Sequence, residues 1–220
     1  MYKRYIHACS CVILDPANEQ AEIAAISATL PRRATRRMSR LGLMLNHLLE
    51  HMPLNFSTTL VYGTTFTEVG ALEKYLDSFP YASPLAFQQS IHPGGIEQAL
   101  ILRQQEVGVL LPLAGQRNLL PQLLKSAFLS GTLETVLSGG EEAGSWLKEF
   151  GLSSDSSYAF AMHLSEQEEG SIGSLEWNPE STLETNVALP SFEAAIRTFD
   201  ERKNAIIDSS HHGRFSIQWQ

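Results

Sequence analysis

The chain has only two cysteines, which limits the disulfides and catalytic thiols that it could contain. Cys9 and Cys11 lie two residues apart on a predicted strand, where they share one face and are poorly placed to form a disulfide with each other. Nothing in the sequence sets a helix start or a histidine beside them, so neither is expected to be a catalytic nucleophile. The sequence therefore predicts reduced core thiols in a cytoplasmic protein.

Long apolar runs are also missing. No stretch approaches the ~20 residues that cross a bilayer as a helix, so the sequence predicts no membrane span. The N-terminus begins with Lys3 and Arg4, as a signal peptide does, but the apolar stretch after them is short and is interrupted by His7 and Ser10. This stretch is interpreted as a buried strand.

The patterns of several common sites are absent from the sequence. No set of Cys, His and Asp has the spacing of metal ligands, and Gly139-Gly140 lacks the Lys and Ser/Thr of a phosphate-binding loop. No Gly-x-Ser-x-Gly elbow is present. His211 and His212 are adjacent, and adjacent side chains on an extended segment point to opposite faces, so they make a poor joint site. The sequence predicts neither a metal nor a cofactor.

Charged residues make up only 18% of the chain and are unevenly distributed. An arginine cluster contributes +5 within nine residues to a net charge of −8, so the remainder carries −13. The cluster comprises Arg32, Arg33, Arg36, Arg37 and Arg40. A nonspecific nucleic-acid binder needs a broad basic face, which this chain lacks. Two interpretations stay open: a docking surface for a carrier or another specific acidic partner, and a solvated helix start with internal salt bridges.

Strand and helix patterns alternate along the 220 residues, which predicts an α/β fold with a mixed sheet packed between helices. The predicted strands are 5–14, 57–62, 107–113, 133–137 and a hairpin of 156–164 with 170–177. The predicted helices are 35–51, 67–78, 92–103, one that follows 107–113 and ends at 130, 141–150 and 191–203; a weaker apolar stretch covers 22–29.

The most specific pattern lies between Ser83 and Ala143. A Ser-Pro-Leu-Ala-Phe segment leads into a helix, and the apolar strand at 107–113 is followed by a long helix that ends at Gly131. The short strand at 133–137 then reaches a predicted turn at Gly139-Gly140, the first two residues of Gly-Gly-Glu-Glu-Ala at 139–143. In order and spacing these elements resemble the centre of a β-ketoacyl synthase, a thiolase-fold enzyme.

The resemblance covers about residues 1–177 and implies a truncated thiolase-like fold, with only the N-terminal half of a ketosynthase. Within that family the chain most resembles the short chain-length factors of bacterial aryl polyene type II polyketide systems. That likeness is based on three segments taken together: 32–42, 79–92 and 137–143. Such a factor pairs with a full-length β-ketoacyl synthase, as a heterodimer or a pair of heterodimers, and meets the acyl carrier protein indirectly.

The nucleophile of the family is missing from the place where the resemblance puts it. In the family the reactive cysteine lies at the start of the long helix. Counted back from Gly131 by the family's spacing, this position corresponds to Ala114, which has no nucleophilic atom, so the resemblance places Ala114 at the helix start. If the alignment slips by two residues, Gln116 takes this place, and many chain-length factors carry glutamine there. Neither histidine motif of a ketosynthase, His-Gly-Thr or Asn-x-His, is present. The resemblance therefore implies a non-catalytic subunit that shapes the acyl or polyene tunnel of its partner.

The resemblance also suggests which residues meet the tunnel and the partner. Expected tunnel wall or gate residues are Leu85, Phe87, Gln88, Ile91 and Gln116. The expected partner interface comprises His92, Val109, Leu110, Leu111, Pro112 and Leu113, because an apolar strand is suited to burial at a subunit contact. The alternative for Leu85, Phe87 and Ile91 is that they are ordinary core residues.

The domain organisation is expected to be simple. Residues 1–220 are interpreted as one ketosynthase-like domain, in which 178–220 form a short tail with one helix and a terminal strand. Two other functions stay open. One is a purely structural subunit that stabilises the ketosynthase without contacting substrate, and the other is an independent acyl-transfer enzyme that uses another nucleophile.

Overall fold

The computed structural model describes residues 1–116, 118–145, 148–149, 153–180 and 190–220. The strands in these residues are β1 (Tyr2–Ile13), β2 (Thr59–Thr64), β3 (Val109–Ala114), β4 (Glu134–Glu141), β5 (Tyr158–Ser165), β6 (Gly173–Asn178), β7 (Ala205–Ser209) and β8 (Gly213–Trp219). The helices are α1 (Glu19–Ser27), α2 (Arg32–Thr35), α3 (Arg40–Leu49), α4 (Val69–Asp77), α5 (Pro84–Gln89), α6 (Gly94–Arg103), α7 (Leu119–Leu129) and α8 (Phe192–Asp200). None of the helices in these ranges is long and apolar enough to cross a membrane.

The strands form one mixed sheet in the order β3-β2-β4-β5-β1-β6-β8-β7. β2 runs parallel to β3 and β4, and the other pairings are antiparallel. Helices α3 and α6 bury their apolar faces against one side of the sheet, and α7 and α8 bury theirs against the other. This arrangement confirms the predicted α/β fold, with a mixed sheet between two helical layers.

The central strands are apolar on both faces because both faces are covered. Every residue of β2 and β5 is buried, as expected for strands with helices above and below. Gly139 lies opposite Gly63 in the β2–β4 register, and a Cβ at Gly139 would collide with the Gly63 carbonyl oxygen. The sequence interpretation of Gly139-Gly140 as a turn is wrong, since β4 continues through both glycines to Glu141.

Two other predictions about local structure are also wrong. The segments 156–164 and 170–177 do not form a hairpin, because β1 lies between β5 and β6 and pairs with both. The predicted helix 35–51 is divided: Ser39 caps α3 by accepting a hydrogen bond from the Gly42 amide at 2.9 Å, so α3 begins only at residue 40.

Two predicted segments differ in smaller ways. The apolar stretch at 22–29 is mostly helical, within α1. The predicted helix 141–150 overlaps residues 146, 147 and 150, which lie outside the described residues, and Glu141 belongs to β4.

The tail contributes more structure than the sequence predicted. Ser191 caps α8 through the Ala194 amide at 3.1 Å, and Phe192 and Phe199 of this helix pack edge-to-face or tilted against Phe160 of β5. The predicted terminal strand is confirmed as β8, but it pairs with a second strand, β7, which forms the far edge of the sheet. The tail therefore extends the sheet by two strands.

Candidate functional site: an unpaired strand edge and the neighbouring helix

Strand β3 forms the near edge of the sheet and presents apolar side chains that its own chain does not bury. Its sequence is Val-Leu-Leu-Pro-Leu-Ala, yet none of the six residues is buried and Val109 is 43% exposed. The exposed apolar surface continues around the start of the strand, where a cleft of about 480 Å³ is lined by Phe56, Val109 and Leu133 among others. Side chains of this kind are typical of a surface that another chain covers.

Among the strands of the described residues, none pairs with the outer side of the β3 backbone. The Val109 amide donates to Thr58 O at 3.4 Å and the Gly115 amide donates to Thr64 O at 3.3 Å, so amides at odd-numbered positions face β2. The amides of Leu110 and Ala114 therefore face outward. Pro112 lies between them, where its missing N–H removes no bond from the β2–β3 ladder. We call this outer side of Val109–Ala114 the β3 edge.

Four of the five predicted gate residues, all except Gln116, lie on or just after α5. Ser83 caps this helix through the Ala86 amide at 3.3 Å and Pro84 occupies its first turn, where a missing amide hydrogen costs nothing. Residues 84–91 are called the gate segment. Its predicted wall residues are exposed in this chain, Leu85 by 44%, Phe87 by 50% and Ile91 by 49%, and Gln88 is exposed as well.

This exposure excludes one of the two interpretations of the gate segment, and the tunnel-wall role stays a prediction. Ala86 is buried and holds α5 on the protein, whereas the larger apolar side chains of the helix are at the surface. The ring of Phe87 lies 5.2 Å from that of Tyr75, which in turn lies 5.3 Å from that of Phe79. Leu85, Phe87 and Ile91 are therefore not core residues of this chain, and the ordinary-core alternative is wrong.

The ring of His92 packs against the interior of its own chain. Its ring stacks on the fully buried Tyr62 with centroids 5.3 Å apart, and both ring nitrogens are buried without a hydrogen-bond partner in the described residues. Burial lowers the pKa of His92, which keeps the ring neutral. The structure therefore gives His92 a packing contact inside its own chain; its expected place in a partner interface stays a prediction.

Ala114, to which the resemblance assigns the position of the family's nucleophile, lies at the end of β3. Ala114 is the last residue of this strand, and α7 begins only at Leu119, so Ala114 is not at a helix N-terminus as the sequence suggested. Gln116 is exposed in the connection between β3 and α7, nearer to the helix start. Neither side chain supplies a thiol.

The environment of Cys11 disfavours a thiolate. Both cysteines lie on β1 as free thiols, half-buried against the core. The neighbouring Cys9 and burial raise the pKa of Cys11 far above its usual value. Among the described residues no group of three or more His, Cys, Asp and Glu side chains is placed to hold a metal ion.

The arginine cluster is largely unpaired. Arg40 bonds Glu19 at 2.8 Å, which is the internal salt bridge that one interpretation predicted. Within the described part of the chain, Arg32, Arg33, Arg36 and Arg37 form no ion pair, and all four are exposed. The interpretation based on internal salt bridges therefore holds for one arginine of five.

Three buried glutamates set the positions of the helices around the gate segment, and sequence reasoning missed them. Glu142 accepts from the Leu41 amide at 2.8 Å and from the Gly70 amide at 2.7 Å, which joins the first turns of α3 and α4. Glu68 accepts from the Gly95 amide of α6 at 2.8 Å. A carboxylate at a helix start satisfies free amides and complements the helix dipole.

The third glutamate, Glu141, binds the loop after β2. It accepts from the Thr65 amide and, at 3.1 Å, from the Phe66 amide. One feature of the sequence could have revealed this network: the adjacent acidic residues Glu141 and Glu142, which follow an apolar strand and two glycines. The network also requires glycine at position 95, because any other residue would place its Cβ 2.7 Å from Glu68 Oε1, which is too close.

Comparison with solved structures agrees with this architecture. Over 99% of its length the chain matches all of one chain in the structure of the ketosynthase ApeO in complex with its chain length factor ApeC from Xenorhabdus doucetiae, with 17% identity and a TM-score of 0.66. It matches the ishigamide ketosynthase/chain length factor with 13% identity and a TM-score of 0.60, over 81% of this chain and 68% of that one.

Other comparisons give no match: neither a protein-family model nor a curated protein fits the sequence. The structural matches establish the fold as that of ketosynthase/chain length factor proteins. They confirm, at the level of the fold, the resemblance stated from the sequence.

The raised pKa values of two buried glutamates, Glu68 and Glu141, predict that the free energy of unfolding falls as the pH rises. Burial raises the pKa of Glu68 and of Glu141 to about 7, from 4.5. The folded protein thus keeps protons that the unfolded chain has lost, so this stabilisation is complete below pH 4.5 and is lost as the pH passes through about 7.

Glu68→Gln removes the buried charge and keeps an acceptor for the Gly95 amide. We expect it to exceed the parent in stability by about 2–3 kcal/mol at pH 8 and to match it near pH 5, in urea unfolding.

The matched control is Glu97→Gln, which neutralises an exposed glutamate in the first turn of α6. Its effect on the free energy of unfolding should be small and should change little with pH. A difference between Glu68→Gln and the parent that stays constant from pH 5 to pH 8 would contradict the prediction.

Proposed function

We propose that this chain is the non-catalytic chain-length-factor subunit of a heteromeric β-ketoacyl-acyl carrier protein synthase in type II polyketide biosynthesis of the aryl polyene kind. It pairs with a full-length ketosynthase through the β3 edge and shapes the acyl or polyene tunnel of the pair with its gate segment. The observation that carries the proposal is an edge strand of six apolar residues, of which Val109, Pro112 and Ala114 are exposed and the three leucines are only partly buried.

The chemistry of the β3 edge favours a lasting contact. Each apolar CH₂ group removed from water there contributes about 0.8 kcal/mol. The outward amides of Leu110 and Ala114 can pair with another strand, while Pro112 limits how many hydrogen bonds an indiscriminate partner strand could form. Together these features fit one specific partner that covers the edge.

The absence of a nucleophile supports a subunit that carries out no condensation itself. Decarboxylative condensation needs a thiolate, and a thiolate needs a cysteine whose pKa is lowered, as at a helix start. Here the connection from β3 to α7 offers Ala114 and Gln116, and the pKa of Cys11 is shifted in the wrong direction. In the pair, the condensation is therefore carried out by the ketosynthase.

The descriptions of the structural neighbours support pairing. One is a ketosynthase in complex with its chain length factor, and the other is a ketosynthase/chain length factor. The first matches this chain from end to end in both directions, so the two chains have nearly the same extent. We infer the same kind of heteromeric partnership here.

The gate segment can discriminate between product lengths. A growing chain gains about 0.8 kcal/mol for each CH₂ buried in an apolar tunnel, and forcing extra atoms against a packed wall costs about 1–3 kcal/mol. A difference of ~1.4 kcal/mol is a tenfold preference. One exposed apolar side chain such as Phe87, covered in the pair, is therefore sufficient to favour one product length over the next.

The β3 edge is tested by introducing a charge. Val109→Asp places a carboxylate where the partner would bury it, and an unpaired buried charge costs about 3–5 kcal/mol, so the affinity for the full-length ketosynthase should fall at least about 100-fold. Size-exclusion chromatography and titration of the two purified proteins measure the change. Ile206→Asp is the control, because Ile206 is 65% exposed on β7 at the opposite edge of the sheet. Equal affinities for the two variants would remove β3 from the interface.

The gate is tested by shortening its largest side chain. Phe87→Ala should shift the reconstituted pair toward longer products by about one extension cycle, because the truncated side chain leaves room at the tunnel wall. Mass spectrometry of the products measures the shift, with Ile206→Ala as the control. If substitutions at Leu85, Phe87, Gln88 and Ile91 all leave the product distribution unchanged while the pair still forms, the chain is a structural subunit without substrate contact.

A further inference from the structure

The rings of Tyr75, Phe79 and Phe87 form a row that runs from α4 through the turn after it to α5. The ring centroids of Tyr75 and Phe79 are 5.3 Å apart at an interplanar angle of 70°, and those of Tyr75 and Phe87 are 5.2 Å apart at 50°. Edge-to-face and tilted arrangements at such distances are favourable contacts between aromatic rings. We call these three rings the aromatic row, and Tyr75 is its middle member.

The contact with Tyr75 favours one orientation of the Phe87 ring. Phe87 is half-exposed, and an aromatic side chain at a helix surface has more than one staggered rotamer open to it. The rotamer in which the two rings meet gains the aromatic contact, and a contact of this kind shifts such an equilibrium by about two- to tenfold. The part of the Phe87 ring that Tyr75 does not cover stays accessible to a ligand.

The backbone of α5 is held by groups other than the Tyr75 ring. Ser78 Oγ donates a hydrogen bond to Tyr75 O at 2.6 Å and accepts one from the Ser83 amide at 2.8 Å. Ser83 in turn caps α5, and Ala86 is buried under this helix. These bonds use the backbone carbonyl of Tyr75, so they remain when its side chain is shortened. The Tyr75 ring therefore acts on the orientation of Phe87 and not on the position of α5.

We propose that Tyr75 is a positioning residue, which holds the ring of Phe87 in one orientation in the gate segment and thereby narrows the distribution of product lengths. The proposal rests on the proposed function, in which Phe87 forms part of the tunnel wall. A wall ring in a fixed orientation stops a growing acyl chain at one depth, whereas a ring that rotates freely lets longer chains pass. Tyr75 has this effect without touching the substrate.

A second ring contact in the chain allows a purely structural effect to be measured. Tyr2 on β1 is 55% exposed, and its ring stacks on Trp177 of β6 with centroids 5.2 Å apart. Tyr2→Ala therefore removes a tyrosine ring contact of the same length from another part of the sheet. If Tyr75 served only the stability of the fold, Tyr75→Ala and Tyr2→Ala would affect the products alike.

The test uses the reconstituted pair with full-length ketosynthase and mass spectrometry of the products. Tyr75→Ala should raise the ratio of the next longer product to the parent's main product by about two- to tenfold. Tyr75→Phe keeps the ring and should restore the parent ratio, and Tyr2→Ala should leave that ratio unchanged. Added to Phe87→Ala, Tyr75→Ala should have no further effect, because the ring on which Tyr75 acts is gone.

The possible results separate this proposal from the gate itself. An unchanged ratio in Tyr75→Ala beside a shifted ratio in Phe87→Ala would overturn the proposal and leave the gate intact. The same shift from Tyr75→Ala in the parent and in Phe87→Ala would also overturn it, because Tyr75 would then act without Phe87. No shift in Phe87→Ala would remove both the gate and its positioning residue.

Two further results concern pairing and folding. Loss of the ketosynthase pairing in Tyr75→Ala but not in Tyr2→Ala, seen by size-exclusion chromatography, would assign the Tyr75 ring to the subunit interface and contradict the proposal. If Tyr75→Ala fails to fold, Tyr75→Leu replaces it, since leucine keeps an apolar side chain on α4 but no ring. The same rise in the longer product is then expected, and an unchanged ratio in Tyr75→Leu would overturn the proposal.

Discussion

Backbone amides bound by buried carboxylates hold the functional half of this protein together. Glu142 joins α3 to α4, Glu68 joins the start of α4 to α6, and Glu141 fixes the loop after β2. Each carboxylate replaces the water that a helix start or loop would otherwise bind, and each lies in the interior where such bonds are strong. The gate segment lies between α4 and α6, so its position depends on this network.

This hydrogen-bond network fixes the positions of the helices, although two surfaces of the protein are left uncovered by its own chain. The three buried glutamates are paired with backbone amides, while the β3 edge and the wall residues of α5 remain open to a partner.

The sequence predicted the fold class because apolar periodicity marks strands and helices locally. It predicted neither the insertion of β1 between β5 and β6 nor the pairing of β7, because strand neighbours are chosen by long-range packing that a local pattern does not contain. The Gly139-Gly140 pair was read as a turn because glycine also marks turns, whereas here it permits close approach of the β2 and β4 backbones.

The candidate site was predicted in part. The apolar strand at 107–113 and the segment around Phe87 were identified from the family resemblance, and their exposure could not be known before the core was seen. The roles of Glu68 and Glu142 were missed because a lone glutamate in a sequence is far more often solvated than buried. Ala114 was placed at a helix start by counting, whereas the strand runs through Ala114 and the helix begins only at Leu119.

Hydrogen exchange of β3 with and without the full-length ketosynthase tests the central claim most directly. The amides of Leu110 and Ala114 face away from β2 and should exchange rapidly in the isolated chain. Formation of the complex should slow both markedly, while the amides of β7 at the opposite edge of the sheet keep their rates. A stable complex in which Leu110 and Ala114 exchange as fast as before would contradict the account.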